Sequence, residues 1–247
     1  MERVVVITGA SSGIGAALAE LLGSRGAFLG LVARRAEALR EVAARSGAAA
    51  LPIVADLTRR EEVKRAVALA LDRFGRVDVW VNNVGRGITR PPSQLTEEDL
   101  DEIMRVNVKT ALYGTQEILP HFLARGTGHL INLSSMLGRI PHAVHRSAYN
   151  GAKHFLNALT ANFRSEYAQS HPGIHFSVIS PGVVRTAFGK NALHGGPDSW
   201  QLPDSQSAEE VAAVIAGVID APRPDVYTRT GAHDRVVRYF DGLGQDP

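Results

Sequence analysis

The chain has 247 residues, 45% of them hydrophobic and 21% charged, with a formal net charge of +2 and no cysteine. That content supports a sizeable core and excludes a disordered or fibrous chain, a disulfide framework and a thiolate metal centre. The isoelectric point near 9.1 reflects arginines scattered through helical patterns, with no basic run and interleaved aromatics, so no nucleic-acid partner is expected. No apolar run reaches membrane-spanning length and no signal-peptide pattern opens the chain, so a cytoplasmic location is expected.

The first apolar strand, Val4–Thr8, runs straight into Thr8-Gly9-Ala10-Ser11-Ser12-Gly13-Ile14-Gly15 and then into a helical pattern over 16–22. Glycines in such a turn let the backbone approach a pyrophosphate, and the helix that starts there offers unpaired N–H groups and a partial positive charge. Gly9, Ser11, Ser12, Gly13, Ile14 and Gly15 are therefore the expected cradle of a dinucleotide, although the spacing is wider than G-x-G-x-x-G. A second strand, Phe28–Ala33, ends at Arg34-Arg35, where an NAD-binding chain would carry a carboxylate for the ribose 2′-hydroxyl. Two guanidiniums suit a 2′-phosphate instead and favour NADP, the plainer alternative being a solvated helix start.

Further strands are expected at Ala50–Val54, 77–82, 129–133, Ile174–Ser180 and Asp225–Tyr227, alternating with helical stretches. Thr58 with Glu61, Thr96 with Asp99 and Ser207 with Glu210 each read as an N-cap with an acid three residues on. The pattern is that of an α/β chain with a doubly wound, mainly parallel sheet, read as a single domain over 1–247, with ligands beyond the carboxyl ends of the strands. Tyr149 and Lys153 stand four residues apart, on one face if the segment is helical. An ammonium beside a phenol favours the phenolate, and an oxidised nicotinamide adds positive charge, which makes a tyrosine usable as a general acid and base. Alone, the pair would read as a packed tyrosine beside a solvated lysine.

Together with the glycine turn, this pair resembles the short-chain dehydrogenase/reductase family, in its compact single-domain branch, from Arg3 to about Thr186. Asp56-Leu57 is similar to the family's adenine-contacting pair, and Asn82-Asn83-Val84-Gly85 to its Asn-Asn-Ala-Gly, with Asn83 and Gly85 toward the cofactor. Asn107 matches a catalytic asparagine, and Ser134-Ser135-Met136-Leu137-Gly138 the serine motif. Ser135 is the expected catalytic hydroxyl, with Ser134 the alternative, because 14 positions from Ser135 to Tyr149 is one more than the commonest members have. Pro181, Gly182, Val183 and Thr186 match the segment that closes against the nicotinamide.

The resemblance implies a Rossmann-like, seven-stranded sheet with helices on both faces and an NADP-dependent oxidoreductase acting on a small-molecule carbonyl or alcohol. It implies that Tyr149 exchanges the proton and Ser135 steadies the same oxygen. Lys153 then binds ribose and depresses the tyrosine, and Asn107 links Lys153 to solvent. It also implies a homodimer or homotetramer, with the tetramer in doubt because a basic helical tail over 234–239 replaces the usual acidic close. Two other classes compete: a catalytically silent NADP-binding sensor or scaffold, and a sugar-nucleotide epimerase. The first predicts a broken catalytic set, and the second a different glycine spacing and an appended domain.

The segment 187–207, rich in Gly, Pro and polar residues, reads as a mobile substrate lid, with Phe188, Leu193, Trp200 and Leu202 as its apolar faces. Met136, Leu137, Ile140 and Val144 are expected to add pocket wall, which points to a moderately hydrophobic ketone or aldehyde. His142 and His145 lack a third ligand, so no metal is expected. Arg86 and Arg90, after the Asn-Asn-Val-Gly turn, read as solvated, the alternative being a place at the pocket mouth.

Overall fold

The computed structural model describes residues 3–47 and 49–243. In chain order the elements are β1 (Val4–Thr8), α1 (Gly13–Ser24), β2 (Phe28–Ala33), α2 (Ala36–Arg45), β3 (Ala50–Val54), α3 (Arg60–Phe74), β4 (Val79–Asn82), α4 (Glu97–Met104), α5 (Thr110–Arg125), β5 (Gly128–Leu133), α6 (Ser147–Tyr167), β6 (Ile174–Ser180), α7 (Ala208–Asp220), β7 (Asp225–Tyr227) and α8 (Ala232–Asp241). The seven strands form one sheet in the order β3-β2-β1-β4-β5-β6-β7, and each pairing is parallel.

β1 and the apolar stretches of its neighbours are buried because both faces of the sheet are covered. Val5 and Ile7 of β1 join Val79, Val81, Ile131 and Ile179 in a core under α1, α2 and α7, whereas Val4 and Val6 join Trp80, Leu130 and Phe176 in a core under α3 and α5. This is the period-2 alternation of a strand buried on two sides. Strand order reverses at the β1/β4 pair, and the crevice beyond their carboxyl ends is where such sheets bind ligands. Asn83 stitches that point together: its backbone N–H donates to Thr8 Oγ1 (2.9 Å) and its Nδ2 to the carbonyls of Thr8 (3.0 Å) and Gly9 (3.2 Å).

Capping boxes close the starts of α4, on Thr96 and Asp99, and of α7, on Ser207 and Glu210. The expected cap of α3 is corrected: its N-cap is Arg59, because the Thr58 hydroxyl donates to Asp56 Oδ1 at 2.9 Å. Among the described residues no helix is long and apolar enough to cross a membrane.

Candidate active site

The glycine turn has the shape its residues require. Gly9 and Gly13 adopt φ of +65° and +56°, in the left-handed region that a side chain disfavours. A Cβ on Gly15 would stand 2.5 Å from the Gly9 carbonyl oxygen and 2.7 Å from Asn83 Nδ2, so the helix can start this close to the strand only without one. Ser12 caps α1 by position, yet its side chain makes no cap hydrogen bond, which leaves first-turn N–H groups for an anion. Arg35 Nη2 donates instead to Ser12 Oγ (2.8 Å), Ser11 Oγ (3.1 Å) and the Ser11 carbonyl (3.3 Å), placing a guanidinium at the rim of the cradle.

Beside it, Asp56 accepts from the backbone and hydroxyl of Thr58. Burial works to raise its carboxyl, but these hydrogen bonds, with Arg34 and Arg105 near, outweigh that and hold it below its ordinary value. Leu57 is buried in the core beneath β3. Thr186 closes the far end, its Cγ2 standing 3.1 Å from where a Gly13 Cβ would lie. Pro181 fixes the start of that strap by accepting from Met136 N at 2.8 Å.

Asn107, Ser135, Tyr149 and Lys153 converge on one wall of the crevice. Tyr149 and Lys153 lie one turn apart on α6 and are buried, with Lys153 Nζ 5.6 Å from the tyrosine ring centre. Lys153 donates to the Leu133 carbonyl at 2.7 Å. Ser135 stands close enough to the Tyr149 phenol to work against the rise in its pKa, and its Oγ accepts from Leu137 N at 3.1 Å. Ser134 Oγ is turned away, buried under Gly138 and unpartnered, so of the two serines Ser135 is the one that faces the phenol.

Asn107 sits in a π-helical turn, Arg105–Lys109, between α4 and α5, a distortion that turns its side chain into the crevice. There it brackets Arg86, accepting from its N–H (3.1 Å) and donating to its carbonyl (2.9 Å). Gly85 lets two polar side chains approach the loop after β4: a Cβ there would lie 3.1 Å from Asn107 Oδ1 and 3.6 Å from Lys153 Nζ. Gly182 lies against the Arg229 side chain, and Val183 is 39% exposed.

Burial sets the electrostatics. It pushes Tyr149 up to about 12, against the nearby Ser135 side chain and the Arg146 charge, and pushes Lys153 down to about 7 from its ordinary 10.5. Between those two lysine values the unfolded chain holds a proton that the folded protein has released, so stability rises with pH across that window. Tyr149 keeps its proton throughout it. Unfolding free energy of the cofactor-free protein is therefore expected to climb from pH 7 toward 10, and Lys153→Met to flatten the climb. Parallel slopes in denaturant titrations of the two proteins would contradict the lysine's burial as a neutral amine.

The 187–207 segment lies closed over this wall, tied by bridges from Leu193 to Ile88 and from Gln206 to Val184. His194 Nε2 lies 2.6 Å from the buried Asp99, whose other oxygen accepts from Arg90 at 2.7 Å. Phe188 meets the Tyr149 ring edge-on, with centroids 5.6 Å apart. Several sequence expectations are corrected here. Trp200 is 64% exposed and Val144 63%, so neither is wall. Met136 and Ile140 pack against Tyr227 and α8, which leaves Leu137 as the loop residue in the Tyr149 cluster. Arg90 is paired, not merely solvated. Arg146, the N-cap residue of α6 one turn before Tyr149, also belongs to this wall, and its i, i+3 spacing from the tyrosine is the sequence signal for it.

The family model for short chain dehydrogenase matches residues 3–195. The chain belongs to this family. An uncharacterized oxidoreductase of Listeria innocua is 33% identical over 228 residues, covering 90% of this chain and 92% of its own. Among solved structures, a short-chain dehydrogenase of Sphingobium yanoikuyae in complex with NADPH is 28% identical with a TM-score of 0.82, covering 99% of this chain and 97% of that one. A short chain dehydrogenase/reductase of Burkholderia phymatum in complex with NAD shares the fold, with a TM-score of 0.87 at 22% identity, covering 100% and 97%. The protein is thus a short-chain dehydrogenase of the Rossmann-like fold, an oxidoreductase by family, and its neighbours include complexes with either nicotinamide cofactor.

Proposed function

We propose that this short-chain dehydrogenase is an NADP-dependent carbonyl reductase that acts on a moderately hydrophobic ketone or aldehyde, with Tyr149 as its general acid. The observation that carries the reading is the convergence of Tyr149, Ser135, Lys153 and Asn107 on the crevice that the glycine turn opens. When bound, the nicotinamide supplies a hydride to the substrate carbon. Tyr149 gives its phenolic proton to the carbonyl oxygen, which completes the alcohol, and in the reverse direction takes it back. Ser135, close to the same phenol, donates to that oxygen as charge develops on it. Lys153 brings a cation within reach of the phenolate and, with the ribose, reclaims a role for an ammonium that burial alone disfavours. Asn107 holds the loop after β4 in place by bracketing Arg86. Phe188 and Leu137 keep water from the reacting atoms.

The residues present fit the cofactor, since Gly9 and Gly13 hold the turn in the left-handed region and the start of α1 has donors without a side-chain cap. Arg34 and Arg35 then bind the 2′-phosphate. The double substitution Arg34→Asp, Arg35→Ala is expected to lower the NADPH/NADH preference about 10- to 100-fold, the value of one or two charge-assisted hydrogen bonds. An unchanged ratio of the two kcat/KM values would show the phosphate read elsewhere. The chain is expected to pair with copies of itself through α5 and α6, where Phe155 is 49% exposed. The reading is tested by following cofactor oxidation against aldehydes, ketones and quinones, with Tyr149→Phe as the blank. Consumption that disappears in the blank supports it; equal rates in both proteins would reject it.

A further inference from the structure

Arg146 is a cation on the crevice wall that the proposed chemistry leaves without a task. It stands one turn before Tyr149 at the start of α6, half-buried, with Nη1 donating to the Ile88 carbonyl at 3.0 Å. Nε and Nη2 have no protein acceptor among the described residues, and neither is among the buried atoms left without a partner. They remain reachable.

The neighbouring arginines are different. Arg86 pairs with Glu102 at 3.1 Å and Arg90 with Asp99 at 2.7 Å. Among the described residues no acid pairs with Arg146, and the titratable group nearest it is the Tyr149 phenol. A partly desolvated guanidinium without a counter-ion is costly to keep.

The chain also makes room for this side chain. A Cβ on Gly87 would stand 2.6 Å from Arg146 Nη1 and 3.0 Å from Phe188, and one on Gly196, in the closed segment, 3.1 Å from Nη2. Two loops thus approach the guanidinium only because both carry glycine where they meet it. The same Gly196 position is 3.0 Å from Thr89 Oγ1, a buried hydroxyl that has no hydrogen-bond partner. Arg146 Nη2 and the Thr89 hydroxyl thus both lie beside Gly196, with the Gly189 carbonyl oxygen 2.6 Å from the same position, across an apolar floor of Phe188 and Leu137 from the tyrosine.

We propose that Arg146 is the substrate-recognition cation of this site, and that the substrate is an oxo acid whose carboxylate pairs with Arg146 while its carbonyl reaches Tyr149. The inference rests on the reductase reading given above. It narrows the substrate from any hydrophobic carbonyl to one bearing an anionic group beyond an apolar spacer. A guanidinium with two donors open is the geometry that takes a carboxylate in preference to a neutral group.

The test compares a chain-length series of aliphatic oxo acids with their methyl esters, on the wild-type protein with NADPH bound, Arg146→Gln and Arg146→Lys. Binding is read from the fluorescence of bound NADPH in the Tyr149→Phe background, and turnover in the otherwise wild-type proteins. At least one acid is expected to bind about 10- to 100-fold tighter than its ester. Arg146→Gln should remove that difference while leaving the ester and NADPH within about threefold, and Arg146→Lys should keep part of it. Equal binding of acid and ester by the wild-type protein overturns the proposal, as does a loss in Arg146→Gln that is the same for both, which a purely structural arginine would give. If the binding contrast holds and no carbonyl is reduced, the reductase reading fails and the anion site stands.

Discussion

Replacing Tyr149 with Phe is expected to lower kcat by about 10²- to 10⁴-fold, the range that a positioned general acid contributes. The ring itself changes little. Phe keeps the edge contact with Phe188 at 5.6 Å and the same distance to Lys153 Nζ, and Ser135 Oγ still accepts from Leu137 N. Stability should therefore fall by no more than about 1 kcal/mol, the net worth of one hydrogen bond, and NADPH affinity should stay within a few-fold. This pattern separates a chemical role from a packing one, because a mispacked site would lose cofactor binding and turnover together. Residual turnover within tenfold of the wild-type protein would remove Tyr149 from the chemistry.

Gly15→Ala is expected to damage the protein at a different level. The added methyl meets the Gly9 carbonyl at 2.5 Å and Asn83 Nδ2 at 2.7 Å, with the Ala10 Cα at 3.0 Å. Two of these are backbone and the third is tied to Thr8 and Gly9, so relief requires moving α1 away from β1. Overpacking of this kind costs about 1–3 kcal/mol, and the displaced turn loses the approach to the pyrophosphate. Thermal unfolding and NADPH titration should both report it, as a Tm lower by several degrees and a weakened Kd. Gly217→Ala is the control: on the exposed side of α7 its Cβ meets nothing, and the change should be neutral or stabilising by up to about 1 kcal/mol. Equal behaviour of the two variants would contradict the close β1–α1 packing.

The strands were legible because each is apolar and bounded by turn residues. Val4–Thr8, Phe28–Ala33, Ala50–Val54, Ile174–Ser180 and Asp225–Tyr227 fall where the pattern places them. β4 starts two residues later than its apolar run, since Asp78 is taken by the Val4 N–H and by Arg76 and Arg125. β5 starts one residue earlier, at Gly128, a residue that carries no strand signal of its own. The glycine turn and the one-turn spacing of Tyr149 and Lys153 were legible, as local sequence dictates both, but the pair took on a meaning only beside the turn and the family resemblance.

What was not legible depends on contacts between distant segments. Thr58 satisfied a helix-start pattern, but Asp56 two residues earlier captured its hydroxyl. Met136 and Ile140 have the side chains of a pocket wall, and the direction of α8 takes them to another cluster. The tie of the 187–207 segment through His194 to Asp99 joins residues 95 positions apart, and no period in the sequence announces such a pair. Arg146 could be placed on the tyrosine's face, yet only the folded chain shows that no acid among the described residues pairs with it.

The most direct measurement is transfer of the label from NADPH deuterated at its hydride-donating carbon. The carbonyl substrates of the panel serve as acceptors, and the products are analysed for the position of the deuterium. The account expects one deuterium on the carbinol carbon for each NADPH consumed, from one face of the ring only, and none when Tyr149 is Phe. Tight NADPH binding with no deuterium in any product, from either face, would contradict it.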